Sequence, residues 1–528
     1  MWHAARERIL LLILFVCLVT YQGSEANAAE ESPVVSIESG MVSGGVEEGV
    51  AYFKGIPYAA PPLGELRWRP PVSPDKWEGV REAKEYSGRA AQNGDLSVFA
   101  KAGGSEDCLY LNVFVPEEAL NSHAHLPVFF WIHGGGLFVG SASDYNPIPL
   151  VRSGNAVGVT INYRLGAFGS FAHPAIDKEG HAVANYGLMD QIFALDWVQR
   201  NIDKFGGNPQ DVTIAGESSG GQSVLALMTS PKAKDKFQSA IGMSACTVAL
   251  HSDFTMYSLE NAERQGVELA KAAGLENATA DDLRKLSTEE ILKVQKPFGT
   301  FIIEDDYVPE HIGDALRAGH VHPVTFVNGT VRNEGAFFAG VRESFVGSPM
   351  TAEEYPQAVQ EFCSVFGEGT ATKVLAEYPL KNYATPSEAY AAIVTDAWFA
   401  APAAEVNRVL SDKLPVFAYE FDDQTAPYYL PTSFYQGAAH TYEIPYVFPG
   451  FHGSSSLSTD LNEAQQVLSE QMMKLWTHAG SLTSQKDWKP YTPKNGQYLH
   501  LSLPKAKMMT NAEFEKKHHV DFWCNLLS

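Results

Sequence analysis

The sequence has no apolar run long enough to span a bilayer, for which about 20 residues are needed. Its longest, Ile9 to Val19, has eleven residues. Arg6 and Arg8 precede it and the small-residue site Ala26-Asn27-Ala28 follows. The segment therefore reads as an export signal cut after Ala28, leaving residues 29–528 as a secreted or periplasmic chain with no stable membrane insertion. Positive charge is also scarce: 39 Lys and Arg stand against 62 Asp and Glu, a net charge of -23. Such an acidic surface repels nucleic acid and anionic membranes but not neutral or cationic substrates; it also fits solubility alone, the plainer reading. Cysteine is rarer still. Five are present, Cys17 is expected to leave with the signal, and Cys108, Cys246, Cys363 and Cys524 permit at most two bridges. Repeats and low-complexity tracts are absent, and 45% hydrophobic residues are ordinary for a large globular core.

What is present is organised around Asp211 to Val224. Val212 to Ala215 is a short strand, Val224, Leu225, Leu227 and Met228 are apolar positions of a following helix, and Gly216-Glu217-Ser218-Ser219-Gly220 lies between them. A G-x-S-x-G turn in that context is a nucleophile elbow, with Ser218 at its tip and glycines where side chains would collide with adjacent backbone. The pentapeptide alone also fits a plain Gly/Ser-rich turn. A second, independent element favours the catalytic reading: Pro127 to Ile132 is an apolar strand running into His133-Gly134-Gly135-Gly136, whose N–H groups can approach an oxyanion closely.

Further along, Asn185 to Phe205 repeats apolar residues every three or four positions (Leu188, Ile192, Leu195, Val198, Ile202, Phe205), which predicts a helix with one buried face. It links the strand Val157 to Tyr163 to the elbow strand, a unit that builds a mostly parallel sheet. Residues 260–320 read as polar helices covering the site, Pro323 to Val327 as a core strand with Asn328 to Gly335 as its loop, and Pro415 to Phe421 as the last core strand. A helix at Glu463 to Thr477 and a polar, histidine-containing tail complete the chain.

Glu106 to Pro116, read as an alternating strand, the His133–Gly136 loop and Gly216 to Gly221 together resemble the type-B carboxylesterase and cholinesterase family over nearly all of residues 29–528. The resemblance implies an α/β-hydrolase fold, a mostly parallel central sheet with helices on both faces. It also implies that the N–H groups of Gly135, Gly136 and Ser219 form an oxyanion hole. No metal or organic cofactor is implied. Since the motifs spread from residue 133 to residue 440 and must meet, residues 29–528 are expected to fold as one domain.

Ser218 needs a base, and the base a carboxylate. His133 belongs to the glycine loop, and His518 and His519 lie in the charged tail. His440 follows the last core strand, and His440-Thr-Tyr-Glu443-Ile-Pro-Tyr446-Val-Phe448 is similar to the family's H-x-x-E-x-x-Y-x-F stretch. For the acid, Glu334 fits the order serine, acid, histidine and the family's acidic-Glu-Gly turn, with Asn333 replacing the usual aspartate. Asp422 and Asp423, ending the next strand, are rivals. Ser244 and Glu443 match family positions that support the histidine from behind; ordinary loop hydrogen bonding is the alternative. Two departures stand out. The cysteine that usually pairs with the one at Cys108 is missing from Gly88 to Gln92, and Asn93 to Gly104 lacks the tryptophan on which cholinesterases stack choline. The leading expectation is a secreted serine carboxylesterase working through an acyl-enzyme on a small ester. A lipase or amidase on the same triad and a non-catalytic binding module are the alternatives.

Overall fold

Five apolar residues in succession, Val128 to Ile132, form a strand buried on both sides, because the sheet is covered twice. Val128, Phe130 and Ile132 join one hydrophobic cluster and Phe129 and Trp131 another. The structure, a computed structural model, describes residues 32–94, 101–120, 122, 124–245, 247, 256–296, 301–302, 305–453, 455, 457–494 and 496–527. The expected signal, with Cys17, and Cys246 lie outside the described residues.

Among the described residues the central sheet has eleven strands. In chain order they are β1 Gly45–Glu47, β2 Val50–Pro57, β3 Tyr110–Pro116, β4 Leu126–Ile132, β5 Val157–Ile161, β6 Gly207–Glu217, β7 Ser239–Met243, β8 Thr325–Val331, β9 Val416–Phe421, β10 Gln497–Leu501 and β11 Lys507–Thr510. Their spatial order is β11-β10-β9-β8-β7-β6-β4-β5-β3-β2-β1. Every pair from β10 across to β5 is parallel, and antiparallel strands close both edges. The main helices are α1 Tyr186–Asn201, α2 Ser219–Thr229, α3 Glu334–Val346, α4 Pro386–Val394, α5 Ala401–Leu410, α6 Glu463–Thr477, α7 Asn511–Lys517 and α8 Val520–Leu527. Leu195 and Val198 of α1, Val224 and Leu227 of α2 and Val406 of α5 pack on one face of the sheet. Leu468, Met472 and Trp476 of α6 cover the other.

Four sequence expectations change. β3 is buried along nearly its whole length rather than alternating. Its one polar centre, Asn112, accepts from Gly55 N and donates to Thr160 Oγ1, so the sheet interior tolerates it. Helix α1 is buried almost all round, including Asp190, which accepts from Arg164 Nε and Nη2, each at 2.8 Å. Residues 328–331 continue β8, and Glu334 opens α3 instead of ending a loop. Finally, β9 is not the last strand: the supposed tail supplies β10, β11, α7 and α8. Cys108, Cys363 and Cys524 are unbridged, and burial pushes the Cys108 thiol well above its usual range.

The tail histidine passed over in the sequence is only 2% exposed. His518 lies between Asp396 Oδ1, 2.8 Å from Nδ1, and Glu420 Oε1, 2.6 Å from Nε2. Burial alone would lower its pKa, but the hydrogen bonds it donates to the two carboxylates outweigh this and push it up to about 9. A folded-state value above the unfolded one gives stability that is complete below about pH 6.5 and lost as pH rises towards 9. At about 1.4 kcal/mol per pH unit, roughly 3 kcal/mol goes over that window. Thermal melts of the parent should therefore fall between pH 6.5 and 9 more steeply than those of His518→Gln. Parallel curves would remove His518 as the cause.

Candidate active site

The carboxyl ends of five neighbouring parallel strands, β9, β8, β7, β6 and β4, deliver His440, Glu334, Ser244, Ser218 and the 134–136 glycines to one edge of the sheet. The strand ends are level with one another, since Gly216 pairs with Ile132, and Met243 with both Glu217 and Gly329.

At the elbow Ser218 has φ 57° and ψ -127°, a conformation that costs a non-glycine residue about 1–3 kcal/mol. Two main-chain bonds hold it there, Ser218 N to Met243 O at 3.0 Å and Gln222 N to Ser218 O at 2.9 Å. Neighbouring side chains are excluded. A Cβ on Gly216 would meet the Gly220 carbonyl at 2.4 Å, and one on Gly220 would meet Ile132 O at 2.1 Å.

The glycine loop turns tightly with φ of 103° at Gly135 and 62° at Gly136, while Gly135 O accepts from the N–H groups of Phe138 and Val139. Among the described residues, no internal hydrogen bond uses the N–H of Gly135 or Gly136. The loop is tied to the elbow by Leu137 N, which donates to Ser219 Oγ at 3.1 Å. His133 serves as scaffold: its Nδ1 lies 2.8 Å from Gly134 O, its ring stacks on Tyr163, and burial pushes it down to about 4. It stays neutral across the physiological range.

Glu334 Oε2 lies 2.6 Å from His440 Nδ1, and both residues are buried. Its other oxygen accepts from Ser244 Oγ at 2.6 Å and Val331 N at 2.9 Å. With the carboxylate accepting at Nδ1, the neutral ring carries its proton there and presents Nε2 as an acceptor. Neither rival acid reaches the ring. Asp422 pairs with Arg332 and His500, while Asp423 accepts from Thr425, Tyr446 and Gln465. The residue before each member of the Glu334–His440 pair is joined to the other's partner, since Asn333 bridges Ala439 and donates its N–H to Ala438 O at 2.8 Å. Asn333 Oδ1 accepts from Gln424 Nε2 at 2.9 Å, a bond that an aspartate would accept equally.

Ser244 thus reaches Glu334 rather than the ring. Among the described residues Glu443 makes no hydrogen bond through either carboxyl oxygen. Burial, then the nearby Glu217 and Glu334, push its pKa well above the usual carboxylate range. Glu217 is raised likewise, by burial and by Glu334, and its Oε1 lies 3.3 Å from His440 Nε2. Sequence reasoning passed over Glu217, although a carboxyl between Gly216 and Ser218 at the end of a buried strand was itself a signal. It also missed an aromatic wall. The rings of Phe338 and Phe399 centre 5.1 Å from that of His440, Phe337 lies at 5.9 Å, and Trp398 packs on Phe338. The adjacent Phe337-Phe338 pair, close behind Glu334, was its legible part.

Glu420, Asp422 and His500 have the chemistry of a metal site, with ligand atoms within 4.8 Å of one another. The Lys517 ammonium already fills the cation's role, 2.6 Å from Glu420 Oε2 and 3.7 Å from Asp422 Oδ2.

Residues 31–523 match the model of the carboxylesterase family. The chain is 32% identical to a human cocaine esterase over 552 residues, covering 99% of this chain and 96% of that protein. It is also 32% identical to the para-nitrobenzyl esterase of Bacillus subtilis, covering 84% and 88%. Among solved structures, a thermophilic para-nitrobenzyl esterase superposes with a TM-score of 0.77 at 31% identity, over 93% of this chain and 100% of that one. Those esterases have the α/β-hydrolase fold, with which the twice-covered parallel sheet agrees. The chain belongs to the carboxylesterase family and is a carboxylic-ester hydrolase of the serine-hydrolase kind.

Proposed function

We propose that the chain is a secreted carboxylesterase in which Ser218 is the nucleophile, His440 the general base and acid, and Glu334 the carboxylate that orients it. The observation that carries this reading is the Glu334–His440 bond of 2.6 Å, set beside the strained elbow that presents Ser218. In this reaction Ser218 Oγ attacks the ester carbonyl and its proton passes to His440 Nε2. The charge on the carbonyl oxygen is met by the N–H groups of Gly135, Gly136 and Ser219. Collapse breaks the bond to the alkoxy oxygen, which takes the proton from His440 and leaves as the alcohol. Water, deprotonated by the same nitrogen, then attacks the acyl-enzyme and releases the acid and free Ser218. The imidazolium formed at each stage is stabilised by Glu334. Secretion rests on residues 1–28, which have the pattern of a cleaved signal.

The substrate is a small uncharged ester. Phe337, Phe338, Trp398 and Phe399 offer apolar surface beside His440, as an uncharged ester requires. Burial holds Glu217 and Glu443 towards their neutral forms, so they add little to attract a cation. The choline-stacking tryptophan is also absent from Asn93–Gly104. A panel of p-nitrophenyl esters with a choline ester and an anilide tests the reading. Neutral esters should turn over, the anilide should not, and butyrylcholine should be slower than a matched neutral butyrate. The reverse order for butyrylcholine would sink the substrate assignment.

A further inference from the structure

Residues 386–410 form one continuous helical run whose middle, Thr395–Ala400, is a π turn in which Ala401 N donates to Asp396 O. A π turn inserts one residue into an α-helix, is rare, and frequently lies at a functional site. Its inner side faces the candidate site. Phe399 packs directly on His440, Trp398 on Phe338, and Gly335 N, one residue past Glu334, donates to Thr395 Oγ1 at 2.9 Å.

The outer side is gripped by the C-terminal segment. Asp396 is 4% exposed and accepts from Tyr378 Oη at 2.7 Å and His518 Nδ1 at 2.8 Å. Tyr378 Oη in turn accepts from Trp523 Nε1 at 2.7 Å, and the second ring nitrogen of His518 is fixed on Glu420 of β9. Two residues of the C-terminal segment, His518 and Trp523, thus hold the turn that carries Trp398 and Phe399 against the sheet.

We propose that Asp396 and His518 are positioning residues for the Trp398–Phe399 wall, so that the C-terminal segment determines which ester groups fit beside His440. The inference rests on the reading of Ser218 and His440 as the reacting pair. A fitted apolar pocket discriminates about 10-fold or more per methylene, so the readout is a size profile.

The experiment measures kcat/KM of the full chain for p-nitrophenyl acetate through octanoate and for a series of neutral acetates of lengthening alcohol. The variants are His518→Gln and Tyr378→Phe, with Trp398→Ala as the direct probe of the wall. The phenylalanine variant removes one oxygen only, which guards against loss of fold. The expected result is a change of about fivefold or more in the ratio of the longest to the shortest ester in one series, in the same direction in all three variants. Acetate hydrolysis by His518→Gln and Tyr378→Phe should stay near the parental rate. Unchanged profiles in His518→Gln and Tyr378→Phe, with only a lower melting temperature, would overturn the inference and leave Asp396 and His518 as stability elements. Unchanged profiles in Trp398→Ala would overturn it by removing the wall from the substrate. Ser218-dependent turnover in the same assays keeps both outcomes distinct from a failure of the esterase reading.

Discussion

Ser218→Ala should abolish hydrolysis of a short aryl ester, lowering kcat by about four to six orders of magnitude as the loss of a triad nucleophile does elsewhere. Stability should barely change. The Ser218 side chain caps no N–H of α2, and alanine occupies the same strained backbone at similar cost. Chemical labelling gives an independent reading, because an organophosphate should add once per chain and on Ser218. The adjacent Ser219 is the instructive control. It is 2% exposed and its Oγ accepts from Leu137 N, so an adduct there, or retained turnover in Ser218→Ala, would move the nucleophile elsewhere.

Glu334→Gln should reduce kcat by about 10³ to 10⁴-fold. The surroundings dictate how. Oε1 of Glu334 accepts from both Ser244 Oγ and Val331 N, so an amide at this position must turn its oxygen to them. Its NH₂ then meets His440 Nδ1 at the place where a carboxylate oxygen now lies at 2.6 Å. An amide donor there requires a bare Nδ1 and sends the ring proton to Nε2, where it blocks deprotonation of Ser218. Asp422→Asn and Asp423→Asn leave this geometry alone, because their partners lie away from the ring. A loss of that size in Asp423→Asn and not in Glu334→Gln would show the acid assignment to be wrong.

The readable parts of this site were those whose physics is local. Ser218 declares itself because its two flanking glycines answer collisions within a few residues along the chain and against the neighbouring strand. The glycine loop is legible for the same reason. Glu334 could be preferred to Asp422 and Asp423 only by its place in the strand order and by its resemblance to the family's turn, since what keeps them away is a set of partners, Arg332, His500 and Tyr446, gathered from separate parts of the sequence. His518 was misjudged most. Lys516, Lys517 and His519 around it give a surface-like composition, whereas its environment is made by Asp396 and Glu420, 122 and 98 residues away. Strands β10 and β11 escaped notice because β10 is short and follows a polar stretch, and only its pairing with β9 makes it a strand.

The bridge between Asn333 and Ala439 bears on how this chain can change length. Glu334 and His440 sit one residue beyond a main-chain link between their own segments. The path between them includes β9 and the Trp398–Phe399 turn, but its exterior turns lie away from the pair and from that link. Insertions or deletions in that path, at Gly347 or around Gly367-Glu368-Gly369 on the exterior, leave the separation of carboxylate and imidazole untouched. A single residue added between Val331 and Glu334, or between Ala438 and His440, instead breaks the register of the link itself. Tolerance to length variation thus belongs to the exterior turns of the path and vanishes within two short stretches at its ends.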